Sequence, residues 1–184
     1  MKNYFFIFCV TLVFSGCAVI KTPLNATATG DGKYWIVDEA LEYEVDGKQY
    51  FVPKGFVTDF ASVPRVFWAA FPPCDKYTPA AVVHDYLYWM QFEDCNRICA
   101  DEILLSAMES SGVDHVTRQS MYRAVQFFGK KAWDDNKVLK EKQHVIRLIP
   151  EEFPRPDPNE TWEKMEKRLK TFLRNKSLAS STGE

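Results

Sequence analysis

Three titratable residues stand in the most apolar part of the sequence. His84 and Asp85 directly follow an apolar run at residues 80–83, and Asp101 is surrounded by isoleucine, alanine and leucine. Because unpaired polar groups are costly to bury, these side chains need partners in a folded core. A carboxylate that binds an imidazole fixes the ring's tautomer, and the ring can then take a proton from water. The pattern predicts His84 as a catalytic base and Asp101 as the carboxylate that orients it.

The spacing of the neighbouring residues suggests that this pair meets between two facing helices. His84 and Tyr88 are one helical turn apart and share a face, while Arg97 and Asp101 lie on the next predicted helix. Asp85 points away from that face, which leaves it free to bind a cation together with loop oxygens. The same residues could instead form a structural polar cluster that joins the two helices, and the sequence leaves both interpretations open.

A second candidate is Asp59, which lies in an apolar loop. Thr58 and Ser62 place hydroxyl groups on either side of it, and Arg65 supplies a nearby positive charge. The carboxylate is predicted to be either a metal ligand or a second carboxylate near His84. The alternative is a turn in which the side chain accepts hydrogen bonds from backbone donors. The arginine countercharge favours a functional role.

Several other kinds of site are excluded by missing motifs. The sequence contains no Gly-x-Ser-x-Gly nucleophile elbow, no phosphate-binding glycine loop and no His-Glu-x-x-His zinc motif. No histidine precedes His84, as a His-Asp phosphohydrolase would require, and His115 and His144 lie in polar stretches typical of the surface. The formal net charge is −2, from 23 basic and 25 acidic residues, so the chain has no basic field that would attract nucleic acid.

The sequence predicts that these residues are positioned by a mixture of strands and helices. Three segments carry the strand pattern: residues 34–37, 41–45 and 49–52. Asp46 and Gly47, between the last two, predict a hairpin. Three segments are predicted as helices: residues 78–91, opened by Thr78 with Pro79, residues 94–111, capped by Asp94, and residues 116–134. Because the first two helices are joined by a short link, they should be antiparallel. The fold class is therefore α+β, with a small N-terminal antiparallel sheet before a three-helix core.

A fourth helix is predicted near the C-terminus, after a proline-rich linker. Asp157, Pro158 and Glu160 form a capping box with proline at the first helical position. The helix carries an apolar stripe made of Trp162, Met165, Leu169, Phe172 and Leu173. Such a stripe either docks on the body of the protein or lies on a membrane, and docking is the favoured interpretation.

The N-terminus is predicted to be an export signal. Lys2 precedes an 11-residue apolar stretch at residues 4–14, which would span only about 16 Å of a hydrocarbon core about 30 Å thick. Residues 14–17 resemble a bacterial lipobox, in which Cys17 is lipidated. The alternatives are an ordinary cleaved signal and a plain membrane anchor. Because Ala18 follows instead of aspartate, the same resemblance implies the outer membrane of a bacterial envelope, facing the periplasm.

The predicted organisation has five parts: a signal at residues 1–16, a tether at 17–32, one globular domain at 33–149, a linker with a helix at 150–176 and a disordered tail at 177–184. Export implies an oxidising compartment, in which Cys74, Cys95 and Cys99 can form at most one disulfide. Cys95 and Cys99 are four residues apart on a predicted helix. A bond from Cys74 to one of them is therefore expected.

Several spaced motifs resemble a known family. They are Thr58-Asp59-Phe60-Ala61-Ser62-Val63-Pro64, His84-Asp85 with Tyr88, Arg97 with Ala100-Asp101, Met121-Tyr122-Arg123-Ala124-Val125, and Phe128-Gly129. Over about residues 33–135 these motifs are similar to the phage and bacterial family called domain of unknown function 1353. That family has no established activity, so the resemblance implies a relationship and no particular reaction.

The His-Asp-x-x-Tyr pattern, with an aspartate on the next helix, is also similar to the helix pair of secreted phospholipase A(2), especially its bacterial and fungal forms. This resemblance implies that His84 activates water, that Asp101 orients it and that Asp85 binds calcium, with Tyr88 in support. The glycine-rich calcium loop and the paired cysteines of that family are absent from this sequence. A calcium site would therefore need oxygens from the Asp59 loop.

Two functions follow as expectations. The first is a lipid-anchored hydrolase that uses His84 and Asp101 on an ester, with phospholipid as the implied substrate and calcium as the candidate cofactor. The second is a non-enzymatic, phage-related envelope lipoprotein, such as a superinfection-exclusion or entry factor, whose partner is a phage or envelope protein. In both, Cys17 attaches the chain to the membrane, and no nucleic acid is expected as a partner.

Overall fold

The computed structural model describes residues 17–59, 75–142, 146–154, 157 and 159–181, with the side chains of 179–181 left out. The predictions for the signal segment, Ser62, Arg65, Cys74 and His144 concern residues outside this description, as does Pro158 in the predicted capping box. Within it the fold is α+β, as the sequence predicts, with two small sheets followed by four helices. None of the helices found in these ranges combines the length and apolar character needed to cross a bilayer.

In the described residues, six short strands form two antiparallel sheets. They are β1 (Ala18–Ile20), β2 (Ala26–Ala28), β3 (Trp35–Val37), β4 (Leu41–Val45), β5 (Lys48–Val52) and β6 (Val57–Thr58). The first sheet has the order β1-β4-β5 and the second the order β2-β3-β6. The three predicted strands agree with β3, β4 and β5 to within one residue. The predicted hairpin is confirmed, because Asp46 and Gly47 both have positive φ angles, 51° and 78°, as a tight turn between twisted strands requires.

The predicted tether at residues 17–32 is wrong. Ala18 is buried and pairs with Val45 in the first sheet, and its backbone N–H donates to Ser106 Oγ at 2.7 Å. β2 pairs with β3 in the second sheet. These two segments of small and polar residues form short strands because each segment pairs with a strand farther along the chain. The residues directly after Cys17 are therefore part of the folded body.

Four helices follow: α1 (Thr78–Met90), α2 (Arg97–Ser110), α3 (His115–Glu141) and α4 (Trp162–Ser181). The second begins later than predicted, because its cap is Asn96, whose side chain accepts from the backbone N–H of Cys99, and not Asp94. The third begins after the cap residue Asp114 and runs seven residues past its predicted end at Asp134.

The prediction that Cys74 forms a disulfide with Cys95 or Cys99 is also wrong. Cys95 and Cys99 are bonded to each other, with their Cα atoms 5.4 Å apart, within the usual range for a disulfide. The error follows from the misplaced helix start. Cys95 precedes the cap residue Asn96, so it is not on the helix and its backbone can turn towards Cys99.

The helix near the C-terminus docks on the second sheet, as favoured from the sequence. Trp162, Met165 and Leu169 are buried there against Ile36 and Val57, together with Ile149 and Phe153. The helix continues to Ser181, so the tail predicted from residue 177 is helical for its first five residues. The other core lies between the first sheet and the packed helices α1, α2 and α3.

A close backbone contact brings the segment after α3 to β6. Gly55 has a φ of 84°, and a Cβ at this position would collide with the carbonyl oxygen of Ile149. Glycine is required here both by the positive φ and by the lack of space. The backbone N–H of Val57 donates to the carbonyl of Arg147 at 2.8 Å, which places the Arg147 side chain beside the end of β6.

Candidate functional site

Packing of α1 against α2 brings His84 and Asp101 into direct contact. His84 Nε2 lies 2.9 Å from Asp101 Oδ1, and both side chains are 0% exposed. An ionised carboxylate can only accept hydrogen bonds, so Nε2 carries the proton and donates it to Asp101. The opposite nitrogen, Nδ1, then holds a lone pair. This is the tautomer that a histidine needs in order to act as a base through Nδ1.

Two more side chains bind the Asp101 carboxylate. The Tyr88 hydroxyl donates to Oδ1 at 2.6 Å, and Arg97 Nη1 donates to Oδ2 at 2.7 Å. Tyr88 also packs on the histidine, with the ring centroids of Tyr88 and His84 4.1 Å apart. The four residues that the sequence predicts to lie together thus form one connected network, called here the Asp101 network. Arg97 supplies the charge that balances the buried carboxylate.

The surroundings of His84 favour its neutral form. Burial lowers the pKa of the ring, the hydrogen bond and charge of Asp101 partly oppose this effect, and the Arg97 charge lowers the pKa further. Among the described residues, Nδ1 is buried without a hydrogen-bond partner. Burial also raises the pKa of Tyr88, and its hydrogen bond to Asp101 adds to the shift, so the phenol stays protonated and donates.

We expect acid to destabilise the protein through His84. Because the folded protein lowers this pKa, the unfolded chain binds a proton below about pH 6.5 that the folded chain excludes. The contribution of neutral His84 to the free energy of unfolding is complete above that pH and is lost as the pH falls. The free energy of unfolding should decrease by up to about 1.4 kcal/mol per pH unit. Urea unfolding at a series of pH values between about 7 and 5 measures this slope. The His84→Asn protein should lack it, and the same slope in both proteins would contradict this assignment.

A small cavity is bordered by Tyr88. It has a volume of about 60 Å³, and its polar lining comes from Asp59, Asp85, Asn136 and Arg147. His84 is not among the lining residues. The predicted site residues therefore fall into two groups: those of the Asp101 network, and Asp59 with Asp85 beside the cavity.

The carboxylates of this second group already have partners. Thr58 Oγ1 donates to Asp85 Oδ2, and Arg147 Nη2 lies 3.3 Å from Asp59 Oδ2. Arg147 could not be found from the sequence, because it is distant along the chain and is brought here by its backbone contact with β6.

The described residues alone do not complete a calcium shell. Calcium takes about six to eight oxygen ligands, and the Arg147 guanidinium competes with a cation for Asp59. In the described part of the chain no three His, Cys, Asp or Glu side chains are grouped as metal ligands.

Gly129 on α3 is a positioning residue that sequence reasoning missed. A Cβ at this position would overlap the Tyr88 hydroxyl oxygen and lie 3.2 Å from Tyr88 Cζ. The absence of a side chain therefore lets the Tyr88 hydroxyl reach Asp101 while α3 packs against α1. The available signal was a glycine inside a helical pattern, which costs about 1 kcal/mol relative to alanine and usually has a packing reason.

Comparison with known proteins finds one similar family and identifies no activity. Neither a curated protein nor a solved structure matches the chain. The model of a family described as protein of unknown function (DUF1353) matches residues 35–125. This stretch runs from β3 into α3 and contains all four residues of the Asp101 network as well as Asp59 and Asp85. Over residues 35–125, the chain is therefore similar to the DUF1353 family.

Proposed function

We propose that this protein is a lipid-anchored envelope hydrolase in which His84 activates water for attack on an ester, with a phospholipid as the substrate class. One observation carries the proposal. Within the described part of the chain, Nδ1 of His84 is buried and accepts no hydrogen bond, while Nε2 is bound to Asp101. A buried polar atom without a partner is rare and needs an explanation. A catalytic base that takes a proton from water would explain it.

The proposed chemistry uses Nδ1 of His84 in both steps, while Nε2 stays hydrogen-bonded to Asp101. Nδ1 takes a proton from water as the water oxygen bonds to the ester carbonyl carbon. The imidazolium that forms is stabilised by Asp101, which stays ionised. Nδ1 then returns the proton to the leaving alkoxide as the carbon–oxygen bond of the ester breaks, giving an alcohol and a carboxylic acid. Tyr88 and Arg97 hold the Asp101 carboxylate in place during both steps.

The attachment to the membrane rests on the N-terminal sequence. Residues 14–17 resemble a lipobox, and Cys17 is exposed with a free thiol at the edge of the folded body. A lipid on this sulfur would extend into solvent or bilayer without disturbing the core. The proposed location is the bacterial outer membrane, on the periplasmic side.

A second candidate function is favoured by the burial of the ring. His84 and Asp101 are both 0% exposed, so in this conformation water reaches Nδ1 only if the surrounding side chains move. A non-enzymatic, phage-related envelope lipoprotein needs no such movement. In that function the Asp101 network serves to fix α1 against α2, and the partner is a phage or envelope protein.

One experiment separates the two functions. The full chain is incubated with phospholipid vesicles, with calcium or with a chelator, and released fatty acid is measured beside the His84→Asn protein. For a hydrolase we expect the substitution to reduce the rate at least about 100-fold, since a general base contributes that much or more. Asp134→Asn, which changes an exposed carboxylate on α3, serves as the matched control and should keep full activity. No release by the wild-type protein, or equal release by His84→Asn, would refute the hydrolase and leave the non-enzymatic function.

A further inference from the structure

An aromatic pair on α3 faces solvent. Phe127 is 83% exposed and Phe128 is 61% exposed, which is unusual for large apolar side chains. Val116 and Val138 lie eleven residues before and after Phe127, close to three helical turns, and both are also exposed. The outer face of α3 therefore carries exposed apolar side chains, with Phe127 and Phe128 near its middle, that no described part of the chain covers.

The same helix carries a net positive charge, although the whole chain has a net negative charge. Residues 115–141 contain six lysines and arginines against three aspartates and glutamates, whereas the whole chain has a net charge of −2. Lys130 and Lys131 follow the aromatic pair after one glycine and are highly exposed. Each pairs with an aspartate one turn away, but such exposed pairs are weak and leave the lysines free to meet another anion.

We propose that Phe127, Phe128, Lys130 and Lys131, here called the 127–131 surface, dock on a membrane that carries anionic phospholipid headgroups. Aromatic side chains beside lysines are typical of helices that lie in the interface of a bilayer. Lysine is depleted in protein–protein interfaces, which argues against a protein partner. The surface also lies on the outside of a single helix, a shape that suits a bilayer. This binding goes beyond the proposed function, since it requires neither hydrolysis nor a lipid on Cys17.

Chemical labelling of lysines tests the docking in the full chain. The protein is mixed with vesicles of phosphatidylcholine alone or of equal parts phosphatidylcholine and phosphatidylglycerol. A water-soluble acylating reagent modifies accessible amines, and mass spectrometry compares Lys130 and Lys131 with Lys164, an exposed lysine on α4. We expect modification of Lys130 and Lys131 to be severalfold lower on the anionic vesicles, with Lys164 unchanged. This readout reports on the helix itself, so attachment of the N-terminus to both kinds of vesicle does not disturb it.

Matched variants identify the side chains responsible. The double variant Phe127→Ser/Phe128→Ser should lose the protection, whereas Phe51→Ser should keep it, because Phe51 is a phenylalanine on β5 with the same 61% exposure as Phe128. The His84→Asn protein should be protected like the wild type, so the result does not depend on hydrolysis. Equal modification on both kinds of vesicle would overturn the proposal, as would protection that survives in the double serine variant. Protection that appears without vesicles and increases with protein concentration would indicate self-association and would also overturn it.

Discussion

Replacing Asp101 with alanine is expected to lower the free energy of unfolding by about 3–5 kcal/mol, the cost of breaking a buried ion pair by removing one partner. The carboxylate accepts from His84, Tyr88 and Arg97 at once, and it is fully buried. Its loss leaves the buried donors of His84 and Tyr88 without their acceptor and removes the partner of the partly exposed Arg97 charge. This result is expected whether or not the network is catalytic.

Urea unfolding followed by circular dichroism measures the Asp101→Ala effect. The matched control is Asp134→Ala, which removes a carboxylate that pairs with Lys130 on the exposed side of α3. Exposed pairs of this kind contribute up to about 1 kcal/mol, so the control should unfold almost as the wild type does. If both variants lost the same small amount of stability, the Asp101 network would not hold α1 and α2 together.

Gly129→Ala is expected to destabilise the protein by about 3 kcal/mol, although alanine favours a helix. The gain in helix propensity is about 1 kcal/mol. Two effects oppose this gain: the overpacking of a buried site and the loss of a hydrogen bond to a charged acceptor. Together they cost more than the helix gains. The new Cβ would displace the Tyr88 hydroxyl that donates to Asp101.

A double-mutant cycle with Tyr88→Phe tests this explanation. Removing the hydroxyl oxygen also removes the atom with which the Cβ collides, so Gly129→Ala should cost less than half as much in the Tyr88→Phe background. Unfolding midpoints of the four proteins give the coupling energy. Additive costs would show that residue 129 acts through a neighbour other than Tyr88.

The parts of this protein that depend on neighbouring residues could be predicted from the sequence. The Asp46-Gly47 turn, the helix that begins near Pro79 and the apolar stripe of α4 are all encoded within a few residues. The meeting of His84 with Asp101 followed from helical spacing and a short connection, which makes the two helices antiparallel. These signals were sufficient for the fold class and for the members of the Asp101 network.

The errors concern features that depend on distant residues or on the choice between adjacent caps. β1 and β2 contain only three residues each and exist because β4 and β3 pair with them. The disulfide was misassigned because Asp94 and Asn96 are both good caps and only one starts the helix. The burial of His84 and the approach of Arg147 to Asp59 arise from packing between elements, which no local pattern encodes.

The burial of Ala18 determines how far the body could move from a lipid on Cys17. A flexible tether of about 15 residues would have given a reach of about 20 Å. Instead the residue after the cysteine is fixed in the first sheet by Val45 and by Ser106 of α2. A lipidated chain would therefore have almost no reach, and its orientation on the bilayer would be set by the fold itself. Such a protein would meet only molecules within or directly against its own membrane leaflet.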